Sequence, residues 1–245
     1  MAIYDAIGLG YRHLRRPDPR LAARIEAALG PGTVCNVGAG TGSYEPSDRE
    51  VVAVEPSAVM RSQRPAGSAP VVDAVAEALP FADGAFDAAL AVLTVHHWVD
   101  RAAGLGELAR ASRRQVVFTF DPAAHLDFWL VRDYFPEIAQ LPGSAPPSAD
   151  DIAASLGGGR VDPFPVPADC VDGFLWAYWA RPAAYLDPGV RGAISALAQL
   201  EASVVARGAA ALEADLASGR WLDRNGHLLA EPAVDGGFRL VVAGG

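Results

Sequence analysis

Three glycines at alternate positions, Gly38, Gly40 and Gly42, follow directly after the apolar run at 33–37. Glycine has no Cβ atom, so it lets the backbone turn sharply and approach a ligand closely. A dinucleotide site also needs a later glycine and a helix N-terminus beneath the pyrophosphate. Here Ser43 follows the glycines, and the connection to the next apolar run is too short for a complete crossover helix. The turn therefore predicts a ligand that is held by close backbone approach and not by a phosphate.

Glu55 follows the second apolar run, at 51–54. In a parallel sheet, a carboxylate at that strand end can accept hydrogen bonds from both hydroxyls of a ribose. This role is shared by NAD enzymes and by enzymes that use S-adenosylmethionine (SAM). A solvated glutamate at a strand end is the alternative interpretation, and the preceding glycine turn favours the ribose.

His96 and His97 follow the apolar run at 86–93, at the strand end where open α/β sheets bind their ligands. A histidine at this place can act as a general base near neutral pH. The alternative is that the pair shapes the loop through hydrogen bonds. His125, which follows the run at 115–120, is a second candidate base, with a capping or surface role as its alternative.

The elements that position these residues are predicted from five apolar runs, at 33–37, 51–54, 70–74, 86–93 and 115–120. Continuous runs of Val, Ala and Leu without strict alternation are typical of strands that are covered on both faces. Segments whose apolar residues have helical spacing lie between several of these runs. Two further segments, at 160–170 and 235–243, have the character of strands. The pattern predicts an α/β fold, with a Rossmann-like, doubly wound, mostly parallel seven-stranded sheet and helices on both faces.

Local signals predict individual helices. Asp18, Pro19 and a stop at Gly30 predict a first helix. Ser148 and Asp151 predict a capping box at the start of another helix. The segment after the run at 115–120 has the spacing of one helix that stops at Pro136.

The last third of the chain predicts a helical cap inserted before the last strand. We expect a single domain over 1–245, with an N-terminal helical segment at 1–30, a ligand-binding core at 31–168, the cap at 169–230 and the last strand at 231–245. The cap is rich in aromatic residues, some of which we expect to line a binding cleft and the rest to form core: Phe174, Trp176, Tyr178, Trp179 and Tyr185.

The composition and the net charge limit the classes of binding partner. The chain has 245 residues and a formal net charge of -9, so a nucleic acid would meet a repulsive field over most of the surface. Its two cysteines, Cys35 and Cys170, have no spacing typical of a metal site or a disulfide. No apolar stretch is long enough for a membrane span. We expect a cytoplasmic protein with a small-molecule partner, without nucleic-acid or membrane partners, and the oligomeric state stays open.

Four segments resemble a known family when they are taken together: VCNVGAGTGSYE, VVAVEPS, AEALPFADGAFDAALAVLTVHHW and VVFTFDP. They have the order and spacing of the class I SAM-dependent methyltransferases. They are most similar to the small-molecule enzymes related to the ubiquinone and menaquinone methyltransferases. The resemblance covers residues 33–121, and it implies an enzyme that transfers a methyl group from SAM to a small organic acceptor.

The resemblance also implies which residues bind SAM. Those under its methionine part are the residues of the glycine turn: Gly38, Ala39, Gly40 and Gly42. Glu55 takes the ribose hydroxyls, and the carbonyl of Leu93 faces the methionine amine. Four residues lie near the adenine: Pro56, Met60, Ala76 and Glu77. Tyr4 and Tyr11 are expected to close over the cofactor, and Trp98 either to wall it or to fill core.

The chain departs from the family pattern at three places. Asn36 stands where the family usually has an acidic residue, which is expected to weaken SAM binding. Val75 stands where an aspartate is common on the adenine side. The first crossover is shortened, with Pro46 inside it.

Methyl transfer from a sulfonium requires alignment and exclusion of water and, for a hydroxyl acceptor, a base. We expect no metal, because a metal-dependent enzyme would show several carboxylates after the fourth and fifth strands and Asp121 stands alone there. Two alternatives remain open. One is a SAM-binding protein that does not transfer methyl groups, which Asn36 would suit. The other is an NAD-dependent oxidoreductase, which Ser43 and the missing helix disfavour.

Overall fold

A computed structural model describes residues 15–245 of the chain. Tyr4 and Tyr11, which are predicted to close over the cofactor, lie outside the described residues. No helix within 15–245 combines the length and the apolar character that a membrane span requires.

The strands of the main sheet are β1 Val34–Val37, β2 Val51–Val54, β3 Val71–Val72, β4 Phe86–Val92, β5 Ser112–Phe120, β6 Gly159–Pro163 and β9 Phe238–Gly244. These seven strands lie in the order β3-β2-β1-β4-β5-β9-β6. Strand β9 runs antiparallel to both of its neighbours, and the other neighbouring strands pair in parallel. A separate two-stranded sheet pairs β7 Val166–Pro167 with β8 Ala233–Val234.

The central strands are buried on both faces. In β5, Val116 and Phe118 lie in one hydrophobic cluster, and Val117, between them, lies in the other. Side chains alternate between the faces of a strand, so two separate cores require an apolar residue at every position. This explains the continuous apolar runs and confirms the predicted doubly wound sheet.

Ten α-helices and four 3₁₀ turns lie within the described residues. The helices are α1 Pro19–Leu29, α2 Ala58–Ser62, α3 Arg101–Ala111, α4 Pro122–Asp127, α5 Trp129–Tyr134, α6 Ala149–Ser155, α7 Pro188–Ala193, α8 Ser195–Ala198, α9 Ala202–Ser218 and α10 Arg220–Asn225. The 3₁₀ turns are Val95–His97, Pro136–Gln140, Pro182–Leu186 and Gly226–Ala230.

Helix starts follow the local signals. Asp18 caps α1 by accepting a hydrogen bond from the Arg20 amide, and Ser148 and Asp151 form the predicted capping box of α6. The prediction of a single helix after β5 is wrong. The structure has α4 and α5 instead, separated by Phe128 with φ -55° and ψ 130°. The break accompanies tertiary packing, because the buried Phe128 ring stacks on Trp176 with 4.1 Å between centroids.

Helices α7 to α10 lie between β7 and β8 and form the helical cap before the last strand. Of the five aromatic residues at 174–185 that the sequence singled out, Phe174, Trp179 and Tyr185 are buried. The Trp179 indole donates a hydrogen bond to the Val166 carbonyl at 3.0 Å, and the Tyr185 hydroxyl donates to the Leu175 carbonyl at 2.5 Å. Most of the aromatic set therefore forms core. The exact cap boundaries at 169 and 230 stay a prediction.

Asp18 gives the fold a pH dependence. Burial acts to raise the pKa of its carboxyl, but hydrogen bonds from Arg20 and the Val171 amide outweigh burial and lower the pKa from 3.8 to about 2. A carboxyl with a lowered pKa stabilises the folded state above its unfolded pKa and loses that contribution as the pH falls through the folded value. We therefore expect Asp18→Asn to lower the free energy of unfolding, and we expect this loss of stability to become smaller as the pH falls from 4 to 2.

Urea unfolding of the native chain and the Asp18→Asn variant across this pH range measures the effect. Asp187→Asn is the matched control, because it makes the same substitution at the exposed N-cap of α7. The same pH dependence for both variants would contradict the role of Asp18.

Candidate active site

A cavity of about 740 Å³, here called the main cavity, lies at the carboxyl ends of β1, β2 and β4. Its volume falls within the roughly 300–1,000 Å³ of small-molecule sites. Eleven of the twelve predicted site residues line it: Gly38, Ala39, Gly40, Glu55, Pro56, Met60, Ala76, Glu77, Leu93, His96 and His97. The twelfth, Gly42, is not among the lining residues and lies against the side chains of Arg64 and Glu45.

The glycine turn packs directly on the loop after β4. Gly38 has φ 69°, and a Cβ atom built on it would lie 2.0 Å from Thr94 Oγ1. The amides of Gly38 and Ala39 both donate hydrogen bonds to the Val54 carbonyl, at 2.9 and 3.0 Å. These contacts require glycine at 38 and fix the turn against the end of β2.

Glu55 is buried beneath this turn, with 5% of its surface exposed. Its Oε2 accepts a hydrogen bond from the Gly40 amide at 2.8 Å, and its Oε1 accepts one from the Ser57 amide at 2.8 Å. Burial raises the pKa of Glu55, and these two hydrogen bonds oppose the rise. A carboxylate has about four acceptor sites, so these two hydrogen bonds leave about two for a ligand.

Asn36 belongs to a buried network with Glu45 and Arg64. Its Nδ2 donates to Glu45 Oε1 at 3.0 Å, and Arg64 Nη2 donates to both Glu45 oxygens, at 2.9 and 2.7 Å. The Arg64 and Glu45 side chains are only 4% and 8% exposed. The same Arg64 group donates to the Ala69 carbonyl at 3.2 Å. Asn36 is therefore the neutral neighbour of a carboxylate that Arg64 already pairs.

This network lies where the first crossover is short. As predicted, residues 38–50 form turns and bends without a helix. The ion pair ties the loop at 45 to the segment after α2, a role that sequence reasoning missed. The short connection was the sequence signal for this ion pair. A loop without a helix must find other hydrogen-bond partners for its polar groups.

A second set of contacts joins this loop to the cap. Tyr44 has φ 65°, and its buried hydroxyl donates to Asp172 Oδ2 at 2.8 Å and accepts from the Asp18 amide at 3.1 Å. Arg15 Nε donates to Asp172 Oδ1 at 2.6 Å. Burial raises the pKa of the Tyr44 hydroxyl, so this side chain stays neutral and can donate. No local sequence signal identifies Tyr44 or Asp172.

A smaller pocket of about 70 Å³, here called the inner pocket, adjoins the main cavity. Both share lining residues: Arg15, Leu93, His96, His97, Pro142 and Gly143. A Cβ atom at Gly143, with φ 84°, would lie 2.6 Å from the His96 carbonyl oxygen, so these two loops touch. Of the five cap aromatics named above, Phe174 lines the inner pocket.

The histidines lie on the boundary between the two spaces. His96 and His97 form the 3₁₀ turn after β4, with ring centroids 3.8 Å apart. Burial lowers the pKa of both, and Arg101 and Arg15 help to lower that of His97 to about 4. Both rings are therefore neutral near pH 7, and burial makes them weaker bases than a solvated histidine. Leu93, just before them, has φ 50°, a strained value that is often found at functional sites.

Glu77 and Trp98 shape the other side of the main cavity. The Glu77 carboxylate accepts hydrogen bonds from the amides of Val99 and Asp100, at 2.8 and 3.1 Å. The Trp98 indole donates to Thr94 Oγ1 at 3.3 Å, and Trp98 is both buried and part of the lining. Val75, at the position where an aspartate is common, lines the main cavity and is 46% exposed. Within 15–245, no group of three or more potential metal ligands lies together.

Comparisons with known proteins agree with this geometry. The family model described as a methyltransferase domain matches residues 33–120. A crystal structure from Anabaena variabilis ATCC 29413, of a protein assigned to the methyltransferases of an antibiotic biosynthesis pathway, has 31% sequence identity and a TM-score of 0.87. The alignment covers 94% of this chain and 98% of that chain.

The [4+2]-cyclase SpnF shares the fold at 16% identity and a TM-score of 0.56, with 99% of this chain and 94% of that chain covered. A search of curated protein sequences gave no significant match. The family, the fold class and the cofactor predicted from the sequence are confirmed. The chain belongs to the class I SAM-dependent methyltransferases.

Proposed function

We propose that the protein transfers a methyl group from SAM to a small organic acceptor. The observation that carries the proposal is the junction of two pockets. The main cavity is lined by the predicted SAM residues, and the inner pocket meets it at Leu93, His96 and His97. When bound, SAM supplies an electrophilic methyl group on a positively charged sulfur. The protein must add alignment, a dry site and, for a hydroxyl acceptor, a base.

The residues of the main cavity fit SAM. We assign the ribose to Glu55, whose two remaining acceptor sites match two hydroxyls. The turn at Gly38 and Gly40 allows the close approach of the methionine part, and the Leu93 carbonyl is the acceptor for its amine. The adenine falls to the other side of the cavity, between Met60 and Ala76.

We place the acceptor across the junction, with part of it in the inner pocket. His97 is the candidate base, because its ring lies on the boundary of the two pockets and is neutral near pH 7. Burial makes this ring a weaker base than a free histidine, so the role requires the acceptor to lose its proton as the methyl group is transferred. Loop shaping is the alternative role for the pair, supported by the contact of the His96 carbonyl with Gly143. A His97→Asn variant that binds SAM normally and turns over slowly would favour the base.

We further propose that the transfer needs no metal. Asp121, the carboxylate after β5, accepts a hydrogen bond from the Ala123 amide at 2.8 Å and caps α4. Asp121 therefore has a structural role as the N-cap of α4. Turnover that is unchanged by a chelator is the expected result.

A SAM-binding protein that catalyses another reaction is the second candidate. SpnF shows that a [4+2]-cyclase can have this fold, and fold alone does not determine the reaction. Asn36, which replaces the family's acidic residue, also suits this alternative. It would be recognised by SAM binding without transfer to any acceptor in a broad panel.

Calorimetric titration with SAM, with its demethylated product S-adenosylhomocysteine and with NADH tests the cofactor. We expect micromolar binding of the first two and no binding of NADH. Binding of NADH alone would overturn the proposal and revive the oxidoreductase alternative.

The variant Glu55→Gln tests the placement of the ribose. We expect its SAM affinity to fall by about 1.5–3 kcal/mol, or roughly ten- to a hundredfold, because hydrogen bonds to a charged acceptor are lost. Glu50→Gln makes the same chemical change at an exposed position just before β2 and is the matched control. Equal SAM affinities of the two variants would show that the ribose lies elsewhere.

A further inference from the structure

His125 lies in the wall of the inner pocket, away from the main cavity. It is on α4, it is 7% exposed, and its ring stacks on Phe120 with 4.3 Å between centroids. Its Nδ1 is buried and has no hydrogen-bond partner among residues 15–245. The ring is therefore well packed, but its Nδ1 atom lacks a hydrogen bond.

An unpaired buried nitrogen is costly. It loses about 1–3 kcal/mol of hydration that no protein group replaces, and buried polar atoms in folded proteins are nearly always paired. The stacking on Phe120 needs only an aromatic ring, so a phenylalanine could make that contact without the cost. A polar group of a molecule in the inner pocket is the partner that would justify a histidine here.

The charge of the pocket defines what that molecule can be. Among the described lining residues of the inner pocket, Arg15 is the charged side chain, and none is a carboxylate. Burial lowers the pKa of His125 to about 4, so its ring is neutral near pH 7. An ammonium group would lose its hydration without gaining an anionic partner. A hydroxyl group can donate to the neutral imidazole.

The rest of the lining defines the shape and polarity of the ligand. Just over half of its residues are aromatic or aliphatic, including Leu93, Phe120, Ile138, Leu141, Phe174 and Phe238. The volume of about 70 Å³ is smaller than the roughly 150 Å³ of an apolar cavity that takes benzene. One edge of a ring fits, and the remainder must extend past His96 and His97 into the main cavity.

We propose that His125 binds a hydroxyl group of the acceptor, and that the acceptor is an uncharged, hydroxyl-bearing ring compound and not an amine. This inference rests on the proposed function, since it assigns the inner pocket to the methyl acceptor. It concerns binding, and it does not depend on which atom of the acceptor is methylated.

Three probes test it in the full-length protein: phenol and toluene, which are matched in size, and benzylamine, which is one atom larger and carries an ammonium group. Their affinities are measured by ligand-observed NMR, and the imidazole nitrogen shifts of ¹⁵N-labelled histidine report contact with His125. We expect phenol to bind about three- to tenfold more tightly than toluene, because one neutral hydrogen bond is gained. Benzylamine is expected to bind more weakly than either.

The variant His125→Phe keeps the ring that stacks on Phe120 and removes the nitrogens. It is expected to bind phenol and toluene equally. The variant His125→Gln keeps a hydrogen-bonding side chain and is expected to retain part of the preference for phenol, which also covers the case that His125→Phe does not fold. Equal binding of phenol and toluene to the native protein, a preference that survives in His125→Phe, tighter binding of benzylamine, or binding of none of the probes overturns the proposal.

SAM titration of the same samples separates this inference from the proposed function. We expect native SAM affinity in His125→Phe, because His125 does not line the main cavity. A protein that binds SAM and shows no preference for phenol would disprove the role of His125 alone. A protein that fails to bind SAM would disprove the proposed function, whatever the probes show.

Discussion

Replacing Arg64 with methionine is expected to destabilise the protein by about 3–5 kcal/mol, because it leaves the Glu45 carboxylate buried without its cation. The pair is 2.7 Å apart and nearly inaccessible to solvent. Folded proteins have roughly 5–15 kcal/mol of stability, so the loss is a large share of the total. The free energy of unfolding in urea measures it.

Two further variants make this result specific. Arg113→Met removes the cation of the exposed pair with Asp87, in which the side chains are 69% and 41% exposed, and is expected to cost at most about 1 kcal/mol. The double variant Glu45→Met with Arg64→Met is expected to recover much of the stability, since a buried pair can often be exchanged for apolar side chains. Equal stabilities of Arg64→Met and Arg113→Met would mean that the buried network does not hold the short crossover.

The SAM affinity of the stable double variant has a separate meaning. Arg64 Nη1 lies 3.4 Å from the Gly40 carbonyl, and the Gly40 amide donates to Glu55. If the ion pair positions the glycine turn, the double variant folds and binds SAM more weakly than the native protein. Native affinity would assign the pair to stability alone.

The variant Gly38→Ala is expected to destabilise the protein by about 2–5 kcal/mol and to abolish measurable SAM binding. Two costs add. A side chain at φ 69° costs about 1–2 kcal/mol, and forcing the new methyl group away from Thr94 adds about 1–3 kcal/mol. Any movement that relieves the contact shifts the turn that lines the main cavity.

Gly84→Ala is the matched control for this variant. Gly84 has φ 62°, and a Cβ atom built on it has no neighbour within 4 Å. The control therefore measures the backbone cost alone, about 1–2 kcal/mol, and should leave SAM binding unchanged. Urea unfolding and calorimetry on both variants give the comparison, and equal losses of stability would show that the contact with Thr94 is relieved without consequence.

Helix caps and buried strands could be predicted from the sequence, because each depends on residues that are close together in the chain. An N-cap such as Asp18 or the capping box at Ser148 depends on residues within one helical turn. Strands such as β2 and β4 are read from apolar runs, because strands buried on both faces need apolar residues at every position. The glycine turn and Glu55 adjoin these strands, so the main cavity followed from the order of the runs.

Tertiary packing decided the features that the sequence left open. The cap aromatics have one helical pattern, and Phe174, Trp179 and Tyr185 all belong to the hydrophobic core, yet only Phe174 of these three also lines the inner pocket. The same packing broke the helix expected after β5 at Phe128. Periodicity indicates that a face is buried, but it does not indicate whether the face meets protein or a cavity.

The sequence by itself determined the family, the sheet and most of the lining of the main cavity, because their signals lie within short segments of the chain. The tertiary structure alone decided the inner pocket, to which we assign the acceptor. The inner pocket is formed by residues as distant as Leu93, His125 and Phe238, and the Glu45–Arg64 pair forms only when the short crossover has folded. Contacts between residues that are far apart in the chain depend on how the elements pack, and no local pattern records that packing.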